Sequence, residues 1–133
     1  MTANILRARL AALALFLAST ANVVLASAKD YRFETAGPIA KSGQSTIVKV
    51  RLVRIADGKP VPDAVIFQTR LDMGPDGMAS MTAPAKAAPS TEPGIYVFEI
   101  APSMAGNWGL TLAAKVQGEA ETVRGTVTVA VPK

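Results

Sequence analysis

The chain has no cysteine and no histidine. Without cysteine there is no disulfide to staple a small exported domain, so its fold has to hold by burial alone. Without either residue, the common nucleophile–base pairs are missing. Neither a Gly-x-Gly-x-x-Gly pattern nor a phosphate loop is present. Asp72-Met73-Gly74-Pro75-Asp76-Gly77 lacks the alternating oxygen ligands of an EF-hand, so Asp72 and Asp76, like Asp63, read as turn residues. No Lys/Arg-rich run interleaves with aromatics, which argues against nucleic acid as a partner. Internal repeats are absent, and helical periodicity does not appear beyond the first 28 residues. Together these gaps argue against an enzyme.

The N-terminus has the three zones of a secretory leader: Arg7 and Arg9, an apolar run over residues 10–25 broken only by Ser19, Thr20 and Asn22, and Ala26-Ser27-Ala28. The run is marginal for a membrane span, so residues 1–28 read as a signal peptide and a membrane association is expected only if this leader is kept. Cleavage after Ala28 leaves 105 of the 133 residues, the common size of one domain. The mature segment 29–133 carries 12 basic and 10 acidic residues, a balance that bears on solubility alone.

Alternation of apolar and polar residues, the mark of half-buried strands, dominates that segment. Tyr31, Phe33 and Thr35 form one face, and Val48, Val50 and Leu52 form another. After the turn Asp57-Gly58-Lys59-Pro60, Val65, Phe67, Thr69 and Leu71 alternate with Ile66, Gln68, Arg70 and Asp72. Further strands are expected over residues 95–100, over residues 108–116 with Trp108, Leu110 and Leu112 on one face, and over residues 123–131. A short seventh is expected near residues 78–82. The three prolines of residues 82–93 predict an extended, solvated loop. The pattern suits an all-β fold, an immunoglobulin-like antiparallel β-sandwich of about seven strands, without the Cys-Trp-Cys signature.

Thioether sulfur is the only soft ligand the mature segment offers, at Met73, Met78, Met81 and Met104. Soft ligands select ions such as Cu(I). If Gly74-Pro75-Asp76-Gly77 closes a hairpin, Met73 and Met78 become opposed residues about 4.5–5.5 Å apart at Cβ. Met81 joins them only if a bulge or loop alters its phase. Met104 precedes the strand beginning at Trp108, and sandwich turns at one end cluster, so its loop is placed to approach residues 73–81. Trp108 then has two readings, a cation–π partner of a bound ion or a packed core residue. The four Met likewise have two, a Cu(I) or Ag(I) site or simple core filling. Thioethers need no deprotonation to bind, unlike Cys or His.

The pieces Asp57-Gly58-Lys59-Pro60-Val61-Pro62-Asp63-Ala64, the Met-rich turn from Met73, Pro93-Gly94-Ile95-Tyr96 and Met104-Ala105-Gly106-Asn107-Trp108 resemble the YtkA-like (FixH-like) family of small exported or membrane-anchored proteins. The resemblance spans nearly all of residues 45–131. It implies a β-sandwich associated with copper handling, a Gram-negative periplasmic location, and Met73, Met78, Met81 and Met104 as metal ligands. It also implies service to an efflux system, with the periplasmic adaptor of a heavy-metal efflux pump as partner, or to assembly of copper oxidases. A metal-free interaction module that docks on such a partner through its Met-rich and Pro-rich loops is the alternative. Where members of the family carry His near the Met-rich turn, this chain has none.

Overall fold

The computed structural model describes residues 28–37 and 45–133. The leader assigned to residues 1–28 lies outside the described residues except for Ala28, which opens a single 3-10 turn, Ala28–Asp30. No helix among the described residues is long and apolar enough to cross a membrane.

Eight strands follow: β1 (Tyr31–Thr35), β2 (Thr46–Arg54), β3 (Val65–Met73), β4 (Met78–Ala83), β5 (Ala85–Ala88), β6 (Ile95–Ile100), β7 (Gly106–Lys115) and β8 (Val123–Val131). They form two four-stranded antiparallel sheets, ordered β1-β2-β6-β5 and β4-β3-β7-β8. The first is the four-strand order of an immunoglobulin constant-type sheet, and the second is its three-strand partner with one added edge strand. The expected all-β sandwich is therefore present.

Alternation decides which side chains meet between the sheets. Val48, Val50 and Leu52 of β2 and Trp108, Leu110, Leu112 and Ala114 of β7 are buried in one core, joined by Val127, Val129 and Val131 of β8. Each buried Val or Leu among them contributes about 1.5–3 kcal/mol by leaving water, and no disulfide supplements it. At the open flank, β1 reaches β8, where Phe33 packs over Gly125 so closely that a methyl there would lie 2.7 Å from its ring. The Tyr31 hydroxyl donates to Glu119 at 2.7 Å, tying the first sheet to the β7–β8 connection. Burial, with the Glu119 carboxylate beside it, raises the Tyr31 phenol above its ordinary pKa.

Two elements differ from the sequence-based expectation. Residues 82–93 are not wholly a solvated loop, because β5 lies within them and pairs with β6 from Ala85↔Ile100 to Ala88↔Val97. Its Ala-Lys-Ala-Ala sequence has no apolar alternation to read, and it is held by backbone pairing. Pro84 alone carries the chain between the sheets, its carbonyl accepting from the Ala101 N–H at 3.1 Å. In β3, the register to β7 skips a residue between Ile66 and Gln68, so Phe67 sits in a bulge. A bulge reverses the phase of everything before it. Ile66 packs toward the core while Val65 and Phe67 stand exposed, and Leu71 and Met73 resume the inward face.

Candidate functional site

The Met-bearing end of the sandwich is built around the β3–β4 connection. Gly74–Asp76 forms one 3-10 turn with Pro75 at a position where its fixed φ fits, closed by the Gly77 N–H donating to the Gly74 carbonyl at 2.8 Å. Asp72 braces the entry: one carboxylate oxygen accepts the Gly74 N–H at 2.8 Å and the other accepts Arg70 Nε at 2.7 Å. Arg70 also reaches the Ala79 carbonyl at 2.9 Å, so one guanidinium spans both arms of the hairpin. The Arg70 contact, then the Gly74 N–H, hold the Asp72 carboxyl below its usual pKa.

Met73 and Met78 are register partners, as the hairpin reading expects. The next pair is Asp72↔Thr82, so Ala79, Ser80 and Met81 are looped out of the ladder. This is the irregularity that frees Met81 from strand phase. The two partners nevertheless have opposite surroundings. Met73 is 1 % exposed and belongs to the core, whereas Met78, Met81 and Met104 are 37 %, 36 % and 39 % exposed.

The loop before β7 comes up against this turn. Both oxygens of Asp76 are taken by Asn107, Oδ2 accepting the backbone N–H at 2.8 Å and Oδ1 accepting the side-chain amide at 3.0 Å. Those two bonds, the backbone one foremost, hold the Asp76 carboxyl below its usual pKa. Gly106, at φ +139°, has no room for a side chain: a methyl there would lie 2.6 Å from Met73 Cε and 2.8 Å from an Asp76 oxygen. Trp108 is fully buried in the core, and its indole N–H donates to the Met104 carbonyl at 3.0 Å. The ring thus has a packing role and fastens the Met104 loop through that backbone bond.

Chemically, this end presents three partly exposed Met side chains, Met78 and Met81 on β4 and Met104 on the loop before β7, where Asp76 and Asn107 clasp the turn before β4 to the start of β7. No group of three or more Asp or Glu side chains that could hold a hard cation occurs among the described residues. Asp72 and Asp76, the carboxylates nearest the turn, are committed to Arg70, Gly74 and Asn107. Sequence reasoning treated Asp76 as a solvated turn residue. Its role as a fastener depends on a partner 31 positions away, which local spacing does not reveal.

The other motifs quoted for the resemblance are architectural. Gly94, at φ +76°, packs directly on Pro60, where any side chain would collide. Tyr96, two residues on, donates its hydroxyl to the Val61 carbonyl at 2.6 Å and accepts the Ala64 N–H at 3.0 Å. Burial raises its pKa, while the Ala64 bond opposes the rise. Pro93-Gly94-Ile95-Tyr96 is therefore a lock for the segment before β3, at the end of the sandwich remote from the Met loops.

A family model described as YtkA-like matches residues 25–113, from just before the described residues into β7. Among solved structures, the Lin-41 filamin domain is similar at 22 % identity and TM-score 0.45, covering 75 % of this chain and 91 % of that one. The ZirS C-terminal domain is similar at 14 % identity and TM-score 0.40, covering 83 % of this chain and 73 % of that one. No curated protein sequence matches the chain.

Proposed function

Since the chain belongs to the YtkA-like family, we propose that it is an exported accessory protein of copper handling that binds Cu(I) or Ag(I) through Met78, Met81 and Met104. The observation that supports this reading is the exposure of these three Met residues, each over one third accessible, on β4 and on the loop before β7, at the end clasped by Asp76 and Asn107. A neutral sulfur is a soft donor and suits a monovalent soft ion better than Mg²⁺ or Ca²⁺. Met73 lies beneath the same turn as a packed side chain. It joins the ligand set only if the hairpin end opens.

The ion is cargo on this reading, held by sulfur that requires no proton loss and released without protonation. Neutral thioethers bind less tightly than thiolates, which favours passing the ion onward. The periplasm is the proposed location, and the periplasmic adaptor of a heavy-metal efflux system is the proposed recipient, with copper delivery to an oxidase as the other destination. The chain acts as a carrier and not as an enzyme.

Titration of the protein with Ag(I), followed through the Met methyl signals by NMR, tests this. Saturable shifts at Met78, Met81 and Met104 are expected, and replacing the three by Leu should weaken binding by about a hundredfold, 2–3 kcal/mol, while keeping the apolar surface. Absence of any saturable shift at millimolar Ag(I) overturns the metal reading. Partner binding that survives the Leu replacements would then favour the metal-free docking module.

A further inference from the structure

At the opposite end of β3 lies an edge that none of the described strands covers. β3 is paired to β7 over residues 65–72 but to β4 only through Leu71, Asp72 and Met73. Residues 65–70 therefore face the β4 side without a ladder partner. The element nearest there is β5, which belongs to the other sheet and pairs only with β6. It touches β3 where Thr69 Oγ1 donates to the Ala85 carbonyl at 3.2 Å. Toward the start of β3 a groove of about 490 Å³ opens, lined by Ile66 on one side and Ala87 and Ala88 on the other, with Tyr96 and Phe98 between.

The two flanks of this groove are treated differently by the sequence. β5 is framed by Pro84 and Pro89 and carries Lys86, the usual guards of a sheet edge. Residues 65–69, Val-Ile-Phe-Gln-Thr, carry neither charge nor proline, and Val65 and Phe67 are 64 % and 52 % exposed. The one irregularity of this unguarded edge is the bulge at Phe67, whose extra residue lies in the β7 ladder; the edge otherwise offers backbone N–H and C=O groups to another extended chain, and the adjoining groove offers pockets for its alternate side chains.

Charge narrows what that chain can be. Among the described residues, the charged side chains lining the groove are Asp63 and Glu92. Glu92 is answered by Lys49 at 3.0 Å, whereas Asp63 makes no hydrogen bond or ion pair with any described residue. We propose that this groove takes an extended segment of a partner protein as an added strand along β3, apolar at alternate positions and carrying a Lys or Arg that meets Asp63. The site adjoins the Met hairpin only at its near end: Arg70 is three residues from Met73 and Val65 is eight, about 10 Å and about 26 Å at 3.3 Å per residue. It does not depend on the metal reading.

The test is an amide NMR titration of the protein with the acetylated, amidated peptide Lys-Val-Thr-Val-Thr-Val and with its counterpart bearing Glu for Lys. Saturable shifts at residues 65–70 and 85–88 are expected, at least several-fold weaker for the Glu peptide, and Asp63→Asn should erase that difference. Ala88→Leu, which fills the groove from β5, should abolish the peptide shifts while leaving the rest of the spectrum and the Ag(I) response unchanged. Three results would overturn the proposal: no saturable shift at millimolar peptide, equal shifts for both peptides, or shifts located elsewhere. Concentration-dependent dimerisation through residues 65–69 in the absence of peptide would assign the edge to a second copy instead, and would overturn it too.

Discussion

Met73 and Met78 oppose each other across one hairpin, yet one is sealed in the core and the other is open to solvent. The same substitution at the two should therefore have unequal consequences. Met73→Ala leaves a cavity beside Leu71 and Trp108 and is expected to cost about 2–4 kcal/mol, whereas Met73→Leu, nearly conserving volume, should cost under about 1.5 kcal/mol. Met78→Ala removes a side chain that is 37 % exposed and should cost less than Met73→Ala, about 1 kcal/mol or under. Urea unfolding of the three variants measures this; equal losses at both positions would refute the burial difference. Gly94→Ala should cost about 2 kcal/mol or more by the same assay, since it combines a positive φ with a collision against Pro60. The alternation as far as Leu71 was legible in the sequence, but Met73, next to the turn, reads there as lying outside any strand interior, and its place in the core was not foreseen. What hid its meaning was the adjacency to Met78 and the turn, which made a ligand reading equally available. Trp108 had the same ambiguity, and its depth in the core, with the N–H spent on Met104, accounts for it as packing.

At the scale of elements, the strands that could be read were those whose alternation runs unbroken: β1, β2, β6, β7 and β8. Those that could not be read fully depend on interactions outside their own segment. β5 exists because β6 offers a ladder, and β3 changes face at a bulge that residue spacing does not announce. The clasp between the β3–β4 turn and the β7 entry is of the same non-local kind, and it makes a pH prediction. Asp76 titrates lower in the folded chain than its ordinary value because Asn107 hydrogen-bonds its ionised form, and Asp72 does so through Arg70 and Gly74. Their stabilising contribution is therefore complete above the unfolded value of about 3.9 and is lost as pH falls through the lower folded values. The Asn107 amide signal should hold constant from about pH 8 to 5 and move only below about pH 4. Asp76→Asn should remove that movement. Silver affinity should be flat over the same upper range, since thioether ligands release no protons on binding. An affinity that climbs steadily between pH 5 and 8 would point to a titrating ligand and against the Met set.

Across the whole molecule, a fold without disulfides depends on two sheets burying one core, and the Met residues report on its integrity. Hydrogen peroxide transfers one oxygen to a thioether, giving sulfoxide and water, and needs access to the sulfur. Met78, Met81 and Met104 meet that condition in the native state; Met73 meets it only when the sandwich opens, because Gly106 and the core close over it. Peptide mass analysis during peroxide treatment should show the three exposed residues oxidising together at a rate unaffected by subdenaturing urea. Met73 should lag, and its rate should climb with urea in proportion to the unfolded fraction. Saturating Ag(I) should slow the first group by occupying the sulfur lone pairs, while an excess of the strand peptide, which lies along residues 65–70 and covers none of the three sulfurs, should not change their rates. If Met73 oxidised as fast as Met78 in the native protein, the hairpin end would be opening locally without global unfolding. That result would bring the fourth thioether within reach of an ion.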